Sequence, residues 1–459
     1  MLTQIRIQNF KAWEDTGYVD LARLNVLFGA NSAGKTSIPQ FLRMLRRTVE
    51  SSDRRRALHL SAELGSFQDV LHKHDLSRAL MFELKWRPAS PLELRDPAGK
   101  LNLSATDLHF AATIMPDAHQ QPVLKSFNYT AMGSGKKVRV GMKQSDKPGE
   151  YDLVAEGFRA KRQKGRAWKL PAPYHFNGFP DEVIRYFQNT AFVADLTLSL
   201  QEQLRSIEYV GPIRQEAKPL YDWAGEDVRH VGAHGEQVVE AILAARDRKY
   251  NVAKHKHRTS LNDLVASRLD TLGLTTAFEV RPIAKGRKEY EVRLCTRDGL
   301  PNVRLTDVGF GISQVLPVIV ECFCAPPRSV VIFEQPEIHL HPRVQANLAD
   351  VFIEAIGARE DGEPRDVQLI IESHSEHLLR RFQRRVAEEL LPQTDAAFYF
   401  VNNAAGAARL HPLKLDIFGN IHNWPEEFFG DDMEDVVARM EAEARRSAES
   451  QPRPPRVSR

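Results

Sequence analysis

The stretch GANSAGKT, beginning at Gly29, fits the pattern G-x-x-x-x-G-K-[ST] without a gap. Each residue type has a use in holding a triphosphate. Gly29 and Gly34 let the backbone wrap the phosphates, with the N–H groups of the loop, Asn31, Ser32 and Ala33 among them, pointing inward. Lys35 would neutralise β and γ oxygens, and Thr36 would ligate Mg²⁺. Ser37 leads into a helix whose positive end faces the anion. The expected cofactors are ATP and Mg²⁺. The loop lies between an apolar run, 24–28, and the helical spacing Ile38, Phe41, Leu42, Leu45. Strand, loop and helix in that order form the context that separates this pattern from a plain glycine-rich turn.

Such a loop needs a metal-orienting acid at the end of another buried strand. Glu334 follows the apolar run 330–333 and fits that role. About 25 residues earlier, "DVGFGISQ" places Gly309 and Gly311 in a turn that opens a helix at Ser313, where free N–H groups suit a phosphate. The next strand, "VQLIIES", leads to Ser373, His374 and Ser375; a histidine there can sense a γ-phosphate. Adjacent residues do not easily form a serine–histidine nucleophile, and His339 with His341 reads as packing, not a metal pair.

The elements that must position these groups are legible in outline. Strands are expected at 2–8, 24–28, 330–333 and in "VQLIIES". Helices are expected from Thr36, over 181–205, through most of 234–273, from Ser313 to Cys324, from 343 and from 376. Between 79 and 158, β-branched and aromatic residues separated by Gly, Pro and Ser predict antiparallel strands. "AFEVRPI" and "KEYEVRL" predict a hairpin.

With 459 residues, 42% hydrophobic and 27% charged, the chain has room for two or three globular domains. Its 63 basic and 60 acidic residues give a net charge of +3 and no global pull toward nucleic acid. Two local basic stretches, 159–169 and 246–258, are candidates for such contact, the second with Tyr250, His255 and His257. Cys295, Cys322 and Cys324 are too few for a zinc site and suit a reduced compartment. No signal peptide and no apolar run of about 18 residues is present, so a cytoplasmic protein with no membrane partner is expected.

The order of P-loop, large insertion, glycine turn, acidic strand and histidine strand resembles the ATP-binding-cassette (ABC) ATPases, and within them the heads of SMC and RecF proteins. "IRIQNFKAW" and "EQPEIHLHP" look most like the OLD-like ATPases of bacteria. "YVGPIR", "VGAHGE" and "GNIHNWPEEFF" resemble a subgroup with a short C-terminal domain of unknown function, similar to ATPase subunits of phage-defence systems. The resemblance implies an α/β fold, a P-loop NTPase of ABC/SMC-head type with a strand-rich and helical insertion and no long coiled coil. It divides the chain into an N-terminal lobe (1–86), an insertion (87–300), a C-terminal lobe (301–402), a short C-terminal domain (403–444) and a disordered tail (445–459). It makes Lys35 and Thr36 the Walker A pair and Glu334 the Walker B acid. Gly309, Gly311 and Ser313 become the signature turn and His374 the switch histidine. Gln68 is a Q-loop candidate that would also reach the metal with Thr36 and Glu334, and Lys11 would approach the nucleotide.

Two positions depart from that pattern. Family members that hydrolyse well place a glutamate after the Walker B acid, where this chain has Gln335; an amide orients water without accepting its proton. Slow turnover is expected, unless Glu337 takes the role. The signature serine usually precedes the glycines, and here Ser313 follows them. The resemblance further implies two ATPs sandwiched in a homodimer, with higher assembly left open, and a separate effector protein such as a nuclease. A RecF-like DNA-binding repair factor is the alternative. An OLD-like nuclease with an unrecognised metal site is a third reading, which the 85 residues after His374 disfavour, because "FFGDDMEDV" has helical spacing and no buried strand before it.

Overall fold

The computed structural model describes residues 1–95, 101–165, 168–252, 258–296, 302–404, 406–424 and 440. Met1–His422 forms one compact unit and Asn423–Arg459 another. The expected acidic helix around "FFGDDMEDV" and the disordered tail lie outside the described residues, as do His255 and His257.

A mostly parallel sheet carries the motifs. Its strand order is Ile207–Val210, Val330–Glu334, Gln368–Glu372, Leu24–Gly29, Ala396–Ala404 and Ala407–Leu413. The first five run parallel and the last is an antiparallel edge. Parallel strands covered on both faces must be apolar at consecutive positions, and Val330, Val331, Ile332 and Phe333 are all fully buried. The strand Gln368–Glu372 lies between the P-loop strand and the Glu334 strand, so those two are not neighbours.

The second sheet is antiparallel, in the order Tyr151–Glu156, Lys136–Gln144, Pro122–Gly133, Asp107–Pro116, Leu80–Trp86, Leu2–Phe10, Trp13–Asp15. The P-loop helix Ser37–Glu50 joins the two sheets. It buries Ile38, Phe41, Leu42 and Leu45, the face its spacing predicted. The Phe41 ring meets Phe10 at 5.2 Å and Phe82 at 5.1 Å, both from the antiparallel sheet. Phe110, Phe127, Tyr129 and Phe176 extend this aromatic core.

Several sequence expectations are redrawn. Leu80–Trp86, the last strand of the expected N-terminal lobe, pairs directly with Leu2–Phe10, and the strands from Asp107–Pro116 onward extend the same sheet. The expected helix 181–205 is two helices, Asp181–Tyr186 and Val193–Arg205. The segment 234–273, expected to be mainly helical with a basic interruption at 246–258, has among its described residues the helices Val238–Ala244 and Leu261–Thr271 on either side of that interruption, where the short strand Tyr250–Asn251 lies. The helix expected from Ser313 begins at Phe310, so Gly311 lies in its first turn. The hairpin Ala396–Ala404 with Ala407–Leu413 was not anticipated, and a boundary at 403 cuts through it. Among the described residues the helix Pro342–Gly357 has 16 residues and none is longer, so no described helix makes a long coiled-coil arm. None is long and apolar enough to cross a membrane.

The helix Phe310–Cys324 buries a carboxyl. Glu321 accepts a hydrogen bond from the Val231 amide at 2.8 Å, and its other oxygen has no partner among the described residues. Burial, reinforced by the charge of Glu208, pushes Glu321 up to about 8. The folded chain therefore keeps a proton that the unfolded chain loses near 4.5, and this group's contribution to stability falls as pH rises from about 4.5 to about 8. Glu321→Gln should remove that slope and make the protein more stable than wild type at pH 9. Glu321→Ala, which leaves the Val231 amide unpaired, should cost about 1–3 kcal/mol. Urea melts across pH 5–9 check both.

Candidate functional site

The P-loop is held by close backbone contacts. Gly29 has φ 145°, and a Cβ there would lie 2.0 Å from the Val401 carbonyl oxygen on the neighbouring strand. Gly34 has φ 104°, and its Cβ would lie 2.8 Å from that of Ala12. Trp13 Nε1 donates to the Gly34 carbonyl at 3.1 Å, fixing the far side of the loop. Ala33 is buried beneath the loop, while Asn31 and Ser32 are exposed at its tip, Ser32 in the left-handed region at φ 59°. The buried Lys35 ammonium donates to the carbonyls of Gly29 at 2.9 Å and Ala30 at 2.7 Å. Burial lowers its pKa, against the nearby charges of Glu372 and Glu337. The helix starting at Ser37 has no side-chain cap; the Ser37 and Ile38 amides instead donate back to the Gly34 and Lys35 carbonyls at 3.1 and 3.2 Å, which ties the helix start to the loop.

Three carboxylates converge beside this loop. Glu334 ends its strand in register with Glu372, the last residue of the adjacent parallel strand. Side chains at matched register emerge on the same side, with strands about 4.8 Å apart. Tyr209 donates its hydroxyl to Glu334 Oε2 at 2.6 Å. Thr36 donates its hydroxyl to Glu372 Oε1 at 2.8 Å, and Glu372 Oε2 is buried without a partner among the described residues. Desolvation, then the charge of Glu334, pushes Glu372 up to about 7.

Gln335 takes φ 46° and donates its amide to the Glu372 carbonyl at 2.9 Å, turning the chain sharply. Glu337 then swings beneath the histidine strand, where Oε1 accepts from Ser373 Oγ at 2.7 Å and the His374 amide at 2.8 Å. Burial raises Glu337 despite those donors. His374 is pushed down by burial and by Lys35, while its contact with the Gly29 carbonyl opposes the shift. Glu334, Gln335, Glu337 and His374 thus gather on two neighbouring strand ends beside Lys35 and Thr36.

Sequence reasoning missed three residues here. Glu372 carries the signal that found Glu334, an apolar run ending in an acid. Tyr209 and Arg214 lie in "YVGPIR", which carries no sign of a site role, because tertiary folding brings them in. The buried Arg214 reaches the carbonyls of Glu334 and Gln335 through long contacts of 3.4 and 3.3 Å. Its Nε and Nη1 have no partner among the described residues, and burial lowers its pKa to about 10, so it stays charged at neutral pH.

The remaining candidates are more scattered. Lys11, at φ 46°, donates to Gln40 Oε1 at 2.7 Å on the P-loop helix. Its amide bonds to Val70, which sets the short helix Phe67–Val70, and Gln68 with it, beside Lys11. No hydrogen bond among the described residues joins the Gln68 amide to Thr36 or Glu334. Gly309 caps the Phe310 helix without a side-chain bond, and a Cβ there would meet nothing within 4 Å. A Cβ on Gly311 would meet the His339 carbonyl at 3.5 Å, so the turn carrying Ser313 packs on the segment that follows Glu337. Tyr250 is fully buried and cannot stack on a base as expected. His341 accepts from the Arg343 amide as a helix cap, and among the described residues no cluster of His, Cys, Asp and Glu could itself hold a metal.

A P-loop at the end of a parallel strand, its lysine and threonine facing acids from the next two strands, defines the class. The fold is that of a P-loop NTPase. Residues 152–380, a little under half of the chain, match the family described as "AAA domain, putative AbiEii toxin, Type IV TA system". That span holds Glu334 and His374 but not the P-loop. Residues 391–438 match a family described as a protein of unknown function (DUF3696). No curated protein matches the chain. Among solved structures, an SMC head bound to the C-winged helix domain of ScpA aligns at TM-score 0.44 and 10% identity, covering 90% of this chain and 98% of the other. An SMC head domain from Thermotoga maritima aligns at 0.37 and 10%, covering 90% and 99%. An SMC head from Pyrococcus furiosus, with an extended coiled coil and bound to the C-terminal domain of ScpA, aligns at 0.37 and 9%, covering 96% and 99%. Likeness this loose carries nothing further.

The two glycines separate structural from surface roles. Gly29→Ala should destabilise by more than about 3 kcal/mol, because neither its φ nor the Val401 carbonyl leaves room for a methyl group. Gly309→Ala should change stability by less than about 1 kcal/mol. Chemical denaturation of the two variants checks the contrast.

Proposed function

We propose that this chain is an ATP-binding, slowly hydrolysing ATPase of the ABC/SMC-head kind that dimerises around ATP and controls a separate effector in bacterial defence against phage. The observation that carries the reading is the meeting of Thr36, beside Lys35, with Glu372 on the strand next to the P-loop strand, and of Glu372 with Glu334 at matched register one strand further. The P-loop N–H groups and Lys35 bind the β and γ phosphates, with Lys11 and Gln68 at the margin. Thr36 and Glu334 would hold Mg²⁺. The site suits it: a hydroxyl, two neighbouring carboxylates and an orphaned buried carboxylate oxygen are the hard oxygen donors this cation takes. Mg²⁺ bound there supplies charge neutralisation on the phosphate oxygens.

Gln335 orients the attacking water and leaves its proton without a strong acceptor, which makes turnover slow. Glu337 is already engaged with Ser373 and the His374 amide, which favours a supporting role over that of general base. His374, beside the Gly29 carbonyl, reports the γ-phosphate. The open, uncapped helix start at Gly309, with Gly311 and Ser313, suits the nucleotide of a second copy, giving two sandwiched ATPs. A ligand bound across two subunits stabilises the dimer, and its hydrolysis releases it. The defence role rests on the description of the family matching 152–380, which names a toxin–antitoxin system.

Wild type should move from monomer to dimer in sedimentation when a slowly hydrolysed ATP analogue is added, and Lys35→Ala should neither bind nor dimerise. Unchanged sedimentation at saturating analogue would end the dimer reading, and unchanged nucleotide affinity in Lys35→Ala would end the P-loop assignment. Gln335→Glu should raise turnover by roughly ten- to a hundredfold while weakening ATP affinity. A rate that stays flat in that variant, and collapses in Glu337→Gln, moves the base to Glu337. The tagged chain, with analogue present, should capture its effector from the host.

A further inference from the structure

We propose that Glu372 is a direct ligand of the divalent cation, sharing its coordination with Thr36; the inference rests on the nucleotide-binding reading above. Glu372 sits on the strand adjacent to the P-loop strand, paired with Leu27, whereas Glu334 lies one strand further away. The carboxylate nearest to Thr36 is therefore not the one at the Walker B position. The separation of Thr36 Oγ1 and Glu372 Oε1 is 2.8 Å. Two neighbouring ligands of an octahedral Mg²⁺, each about 2.0–2.1 Å from the ion, lie about 2.9 Å apart. The pair is thus already spaced as two corners of one coordination sphere.

The state of the two carboxylates supports the same assignment. Glu334 Oε2 is taken by the Tyr209 hydroxyl, which suits a group acting through an intervening water. Glu372 is 3% exposed, its Oε2 has no partner, and among the described residues it joins no salt bridge. A carboxylate kept only to brace Thr36 would not need an orphaned buried oxygen beside a second acid. A cation at this point would take up the free valence of Glu372 and neutralise its neighbour.

The test separates metal from nucleotide. Affinity for a fluorescent ATP analogue is measured in EDTA and in millimolar Mg²⁺ for wild type, Glu372→Gln, Glu372→Asp, Glu334→Gln and Lys35→Ala, with a thermal melt on each. Wild type should bind more tightly with Mg²⁺. Glu372→Gln should keep metal-free affinity within about twofold and lose the Mg²⁺ enhancement by about tenfold or more. Glu372→Asp, which retains the charge, should recover part of it. Mn²⁺ binding to the ADP complex, followed by electron paramagnetic resonance, should weaken in parallel. A folded Glu372→Gln with wild-type Mg²⁺ enhancement overturns the proposal, as does equal loss of affinity with and without metal. Should Lys35→Ala bind normally, the nucleotide reading itself has failed.

Discussion

Two acids at matched height on adjacent parallel strands, Glu334 and Glu372, are the constraint around which the site is organised. Strand spacing fixes their approach and burial removes the water that would separate them. Such a pair needs a proton, a neighbouring cation or a metal. Without a ligand, the protein answers with the first two: Glu372 holds its proton to about pH 7, and Lys35 lies close by. Tyr209 and Thr36 each give one hydroxyl to one acid. These groups therefore answer one electrostatic problem, which the metal-bound triphosphate proposed above would resolve.

The backbone that delivers these groups is strained at identifiable points. Lys11, Ser32, Gln335 and His339 all take positive φ without being glycine, and all lie on the P-loop, beside it or on the turn after Glu334. Left-handed conformations at such residues cost on the order of 1 kcal/mol each. The left-handed Gln335 has a visible result, since it returns the chain so that Glu337 can hold the start of the His374 segment. The turn at Gln335 and the start of the His374 segment are thus tied together through the Glu337 carboxylate.

What the sequence disclosed follows from how local each signal is. The P-loop is legible because strand, glycines, lysine and helix are contiguous, and its helix buries the residues its period named. Glu334 was legible as an acid ending an apolar run. Glu372 carries an identical signal, but the histidine two residues later is the more distinctive residue of that strand end. Tyr209 and Arg214 stand at the two ends of "YVGPIR", but their role could not be read from it, since only pairing of Ile207–Val210 with Val330–Glu334 brings them to the acids. The strands from 79 onward were recognised as strands, but not as partners of Leu2–Phe10, because antiparallel pairing across about 75 residues leaves no local mark. The same holds for the hairpin beside the P-loop strand, whose Val401 carbonyl explains why position 29 must be glycine.

The amide at Gln335 is best understood from the charges already present. Glu334, Glu337 and Glu372 crowd the position where a γ-phosphate would sit, and a fourth carboxylate would repel it further. At roughly 6 Å and an effective dielectric of about 20, one unit charge on another amounts to about 3 kcal/mol. A general base is worth about 10²- to 10⁴-fold in rate, or roughly 3–5 kcal/mol of barrier. The two effects are of similar size and opposite sign. In the reading proposed above, glutamine at 335 would give up rate and retain affinity, which would suit a protein whose output is the bound dimer and not the phosphate it releases. Arg214, charged and facing the carbonyls on either side of that turn, acts in the same direction by drawing negative charge toward the site.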